Sequence, residues 1–87
     1  MTTADKIREK LQALKPRQLE IVDESARHAG HAGAQAGGGH YQLLIVSDAF
    51  QDKNQVARHR LIYSALGDMM QQEIHALSIQ ALSPNEV

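Results

Sequence analysis

An 87-residue chain with 43% hydrophobic and 22% charged residues fits one small domain, not two. It has no cysteine, which excludes a disulfide framework, a zinc ribbon and thiol catalysis, and its net charge of −1 is a poor footprint for a nucleic-acid binder. The polar start "MTTADKIREK" is unlike a signal peptide and no apolar run is long enough to span a bilayer, so the expectation is a cytoplasmic protein without a membrane association.

Thr2 and Asp5 have the spacing of a helix N-cap, and Ile7, Leu11 and Leu14 form one apolar helical stripe that Pro16 should end. Residues 1–17 carry Lys6, Arg8, Lys10, Lys15 and Arg17 against Asp5 and Glu9, a local excess of positive charge that a solvated amphipathic helix explains. In "RQLEIVDES", Leu19 and Ile21 alternate with Glu20 and Val22, the pattern of a short strand. The segment His28–Tyr41, "HAGHAGAQAGGGHY", holds three of the five histidines and five of the six glycines and is expected to form a flexible loop over about 27–40. A second strand is predicted near Tyr41–Ser47. The consecutive Leu43, Leu44, Ile45 and Val46 suggest that it is central and buried on both faces.

"QDKN" reads as a turn, and "NQVARHRLIYSALGDMMQQ" as the main helix. Val56, Tyr63, Leu66 and Met70 are predicted to share its buried face, with Ile62 and Met69 beside it. Gly67 costs about 1 kcal/mol in a helix relative to alanine and marks a place to fray. In "EIHALSIQAL", Leu77, Ile79 and Ala81 alternate with Ser78 and Gln80, which predicts a third strand ended by Pro84. The order α-β-β-α-β gives an α+β domain. Strands one and two should pair antiparallel, strand three should return parallel after the helical crossover, and the helices should pack on one face of a three-stranded mixed sheet.

The histidines are the main carriers of chemistry. His28 and His31 lie three apart, but the glycines around them argue against a helical metal site. Two histidines alone also leave a zinc shell incomplete. His40, at the start of strand two, suits a structural hydrogen bond. Lys53 and the "RHR" of Arg58, His59 and Arg60 are candidate contacts to nucleic acid or a protein partner. Equally, the arginines could pair with Asp68 or Glu73, and His59 suits a structural role. His75 stands where the main helix hands over to strand three, in phase with Leu77 and Ile79. A lone histidine there is more often a satisfied structural residue, but a strand end is also a rigid place for a metal ligand. No nucleophile–base motif, phosphate loop or acid pair points to an enzyme.

"IVSDAFQDKNQVARHRLIYSALGDMM" followed by "IHALSIQALSPNE" resembles the BolA family. "VSDAF", "RHR", "HAL" and "LSPNE" occur in that family's order and spacing, and "DES…HAGHAG…GGGHY" looks like its variable loop. The resemblance runs from about Ile7 to Glu86, with one departure: Asp52 stands where the family often has glycine. It implies a class II KH-like fold in a single BolA-like domain over 1–87. It also implies a partner, a monothiol glutaredoxin carrying a [2Fe–2S] cluster whose own cysteine and a glutathione thiol supply two ligands. The BolA-like chain would supply the others. His75 matches the strand-three histidine, and His31, with His28 as the alternative, matches the loop ligand. Histidine in place of thiolate raises a cluster's potential and makes ligation sensitive to protonation. The resemblance thus implies an adaptor in iron–sulfur assembly, trafficking or iron sensing, not an enzyme, with the isolated chain a monomer. The alternative it carries is a DNA-binding transcriptional regulator of morphology and stress response. The G-x-x-G of nucleic-acid-binding KH domains lies between helices, however, and the one here, "GHAG" at 30–33, lies between strands.

Overall fold

The structure is a computed structural model and describes residues 2–24 and 39–87. Helix α1 (Thr3–Leu11) opens on a capping box: the Asp5 N–H donates to Thr2 Oγ1 and the Thr2 N–H to Asp5 Oδ2, both at 3.1 Å. Those bonds, the one from the Thr2 backbone above all, hold the Asp5 carboxyl below its usual pKa. Ile7 and Leu11 are completely buried, and a 3-10 turn over Gln12–Leu14 carries the stripe to Leu14. Lys15 then turns left-handed at φ 48, and Pro16 prevents further helix.

Strands β1 (Gln18–Asp23), β2 (Gly39–Val46) and β3 (Ile74–Leu82) form the sheet in the order β1-β2-β3. β1 pairs antiparallel and β2 with β3 parallel, as the α-β-β-α-β order requires. Tyr41, Leu43 and Ile45 of the central strand point into the core, where Leu19 and Ile21 of β1 and Leu77, Ile79 and Ala81 of β3 flank them. The expectation that β2 is buried on both faces is corrected. Gln42 is exposed and Leu44 half-buried, beside Glu20, Val22, Ser78 and Gln80 on an open face. The helices all cover the other side, and a mixed sheet tolerates one solvated face. Only Val46, at the end of the strand, is buried on the open side.

After β2, Ser47 caps a 3-10 turn over Asp48–Phe50 by accepting the Ala49 N–H at 3.0 Å. Asp52 follows at φ 61. A left-handed residue here fits the glycine that the resemblance leads one to expect, and aspartate is among the few other residues that tolerate the conformation.

Asn54 caps helix α2 (Gln55–Leu66) by accepting the Ala57 N–H at 2.9 Å. The single long helix predicted there is broken. Gly67, at φ 59, ends α2 and donates its N–H to the Tyr63 carbonyl, and a short helix α3 (Met69–Gln72) follows. The buried stripe also differs from the predicted one. It runs Arg58, Ile62, Leu66, Met69, whereas Val56 is 61% and Tyr63 41% exposed. Four-residue steps from Arg58 keep one face, and Val56, two positions earlier, lies almost opposite. Hydrophobicity alone misses a stripe that begins on an arginine.

Candidate functional site

The start of β3 is irregular. Gly39 pairs with Ile74, but His40 pairs with Ala76, so His75 is the extra residue of a β-bulge. Ile74 is 3% exposed, inside the core, and His75 is solvent-exposed. The expectation that His75 runs in phase with Leu77 and Ile79 is therefore corrected: Leu77 and Ile79 pack against the core and the bulge re-aims the imidazole outward. The backbone beneath is pinned, because the Gly39 N–H donates to the Glu73 carbonyl at 3.0 Å and the Glu24 N–H to that of His40 at 2.7 Å.

His40 stands next to it. Its place in β2 alternates with buried Tyr41, so it lies on the open face of the sheet, half-buried. The His40 and His75 ring centres are 5.1 Å apart and the planes are tilted by 46°. His28 and His31, the expected loop ligands, lie outside the described residues. Among the described residues the imidazole brought to His75 is thus His40, which sequence reading assigns only a structural role. No group of three or more histidine, aspartate or glutamate side chains that could hold a metal occurs among the described residues. The arrangement can offer imidazole nitrogen to a metal, but it needs donors from elsewhere to complete a shell.

The "RHR" segment divides. Arg58 is 4% exposed, which corrects its expected role as a surface contact to nucleic acid or a partner. Its Nε donates to the Lys53 carbonyl at 2.8 Å and Nη1 to the Ala81 carbonyl at 2.9 Å. The guanidinium also grips both Glu86 carboxylate oxygens, at 2.6 and 3.1 Å. Glu86 in addition accepts the Ser83 N–H at 2.8 Å. Arg58 first, then that backbone bond, lowers the Glu86 carboxyl to about 2. The arginine pairs with neither Asp68 nor Glu73; Glu73 is paired with Lys6 at 3.1 Å. Lys53 and Arg60 remain exposed, and half-buried His59 meets Tyr63 edge-on at 6.3 Å. The missed clamp had a signal. Ser83-Pro-Asn-Glu86 is a capping-box pattern, and it forms around a 3-10 turn over Pro84–Glu86.

The family described as "BolA-like protein" matches residues 11–86. Among curated proteins, the chain is 51% identical over 88 residues to "SufE-like protein 1, chloroplastic/mitochondrial" of Arabidopsis thaliana, covering 94% of this chain and 24% of that protein. It is 38% identical over 87 residues to the "DNA-binding transcriptional regulator BolA" of Escherichia coli (strain K12), covering 99% and 80%. Among solved structures, BolA1 from Arabidopsis thaliana superposes with a TM-score of 0.85 at 42% identity, covering 100% of this chain and 97% of that one. The BolA domain of SufE1 from the same plant gives 0.83 at 49%, covering 100% and 99%. The chain spans only 24% of the length of SufE-like protein 1 and 54% of that of the plant protein BOLA1. Among the described residues, no helix is long and apolar enough to cross a membrane.

Proposed function

The chain belongs to the BolA family, and from that premise we propose that it is a non-enzymatic cytoplasmic adaptor that binds a monothiol glutaredoxin and shares the ligation of a [2Fe–2S] cluster. The observation that carries this reading is the exposed His75 on a bulge at the head of β3, a rigid imidazole presented outward. The donor set fits a shared site. The chain has no cysteine, and its described residues gather no third ligand, so the thiolates come from the glutaredoxin and glutathione. His75 supplies one nitrogen and His31, or alternatively His28, the other. The cluster, when bound, supplies the redox-active, transferable iron. His75 must be neutral to ligate, and the fixed backbone around Gly39 and Glu73 limits the ordering cost of presenting it.

Mixing the chain with cluster-loaded monothiol glutaredoxin should change the visible absorption and circular dichroism of the cluster, and His75→Ala should abolish that change. An unaltered response in the His75→Ala variant would refute the assignment.

A second reading is direct DNA binding, favoured by the name of the Escherichia coli relative, a DNA-binding transcriptional regulator. Lys53 and Arg60, exposed near the start of α2, would meet phosphate. The adaptor reading expects no measurable duplex binding near about 0.1 M salt. Binding that weakens steeply with salt and is lost in a Lys53→Ala/Arg60→Ala variant would establish the DNA reading instead.

A further inference from the structure

We propose that the outer edge of β3 pairs antiparallel with the same edge of a second copy of this chain, joining two sheets into one across a two-fold axis at Ser78. β3 is an outer strand of the sheet. The Leu82 carbonyl accepts the Ser47 N–H at 3.0 Å, so the backbone groups of Leu82 face β2. The Ala81 carbonyl instead accepts from Arg58 Nη1 at 2.9 Å, and the Ser83 N–H donates to Glu86 at 2.8 Å, both on the outer side. Backbone groups alternate sides along a strand, so Ser78 and Gln80 face β2 and Leu77 and Ile79 face outward. Among the described residues, no group pairs with the outward N–H and carbonyl of Leu77 or Ile79. The Arg58–Glu86 clamp closes this edge at Ala81, and the bulge at His75 interrupts it at the other end.

Charge points to a second copy as the occupant. Sheet edges are commonly shielded by charged residues or proline. The opposite edge, β1, carries Glu20 and Asp23, whereas Ile74–Leu82 contains no aspartate, glutamate, lysine, arginine or proline. Such a strand meets its own copy without like-charge repulsion and offers no charge to select a foreign segment. One register also uses the open groups completely. With Ser78 opposite Ser78 of the second copy, each Leu77 lies opposite an Ile79 and exchanges both backbone hydrogen bonds with it. The next register sets Leu77 against Ala81, whose carbonyl Arg58 already holds. Ser78 is exposed and would face its counterpart in the close, non-hydrogen-bonded pair, with Cα atoms about 4.5 Å apart. One strand pair buries less than the roughly 1,000 Å² of a stable interface, so the dimer is weak and the dilute chain monomeric.

The test is sedimentation velocity and amide hydrogen exchange of the full chain at about 10 μM and about 1 mM. The sedimentation coefficient should rise towards that of a dimer at the higher concentration. The Leu77 and Ile79 amides should exchange at least several-fold more slowly there, while those of Ser78 and Gln80, bonded into β2, stay protected at both. Ser78→Lys should remain monomeric throughout, as should Ser78→Glu, and mixing the two variants should restore the dimer. That rescue also shows that both variants fold, with far-ultraviolet circular dichroism as a direct check. The proposal is overturned if the Leu77 and Ile79 amides exchange equally fast at both concentrations, or if Ser78→Lys dimerises like the unaltered chain. Protection of those amides only after glutaredoxin is added would equally overturn it, by assigning the edge to a foreign strand. The concentration series contains no glutaredoxin and no cluster, so its outcome is independent of the adaptor reading.

Discussion

Phe50→Ala is expected to leave the chain largely unfolded near 37 °C. Phe50 is the only phenylalanine and is completely buried, in one cluster with Ile7, Leu11, Ile45, Ile62 and Leu66. It enters the core from the tight turn after β2, which links the sheet layer to the helix layer. Truncating a buried phenylalanine costs about 3–5 kcal/mol, from lost transfer energy and from the cavity left behind. A domain this small has only about 5 kcal/mol or slightly more to lose. Urea unfolding followed by circular dichroism measures the loss. Phe50→Leu, which keeps most of the volume, should retain a cooperative transition at a lower midpoint. A Phe50→Ala midpoint close to that of the unaltered chain would show that the turn is not part of the folding unit.

Arg58→Met is expected to lower the melting temperature by roughly 10 °C or more. The change leaves the Lys53 and Ala81 carbonyls without the guanidinium and removes the cation from beside Glu86. The methylene stem is replaced, so the loss reports the polar clamp more than the packing. The acid dependence follows from the Glu86 carboxyl, which sits at about 2 instead of its ordinary 4.5. A depressed carboxyl stabilises the fold fully above its ordinary pKa, and that contribution disappears as pH falls towards the folded value. Melting curves of the unaltered chain and of Glu86→Gln should therefore be well separated at neutral pH and converge between about pH 5 and pH 2. Curves that stay parallel through that range would remove Glu86 as the titrating group.

Much of the architecture is legible because local chemistry punctuates it. Thr2 with Asp5, Pro16, Asn54 and Gly67 each mark a helix end with a residue whose backbone preference suits that place. The alternation in β1 and the parallel return of β3 follow from side-chain period and crossover handedness. What escapes is what local pattern does not encode. The solvated face of β2 depends on which side the helices choose, and four consecutive aliphatic residues look the same in either case. The stripe of α2 starts on Arg58, whose burial becomes sensible only when Glu86 folds back against it. The family resemblance singles out His75 as a candidate ligand, yet its outward aim depends on a bulge that period-two reading treats as regular strand. Its neighbour His40 comes from a different strand, and only the β2–β3 register brings the two rings together.

That same register has a kinetic consequence. β2 and β3 are separated in the chain by the whole of α2 and α3, yet their parallel pairing completes the sheet. Closing so long a loop costs entropy before its contacts repay it, and pairings of high sequence separation slow the search for the native topology. β3 should therefore dock late, after α2 has laid its apolar stripe down. Core truncations in β3, such as Ile79→Ala, should then speed unfolding more than they slow refolding, and the two histidines should meet only in the last step of folding.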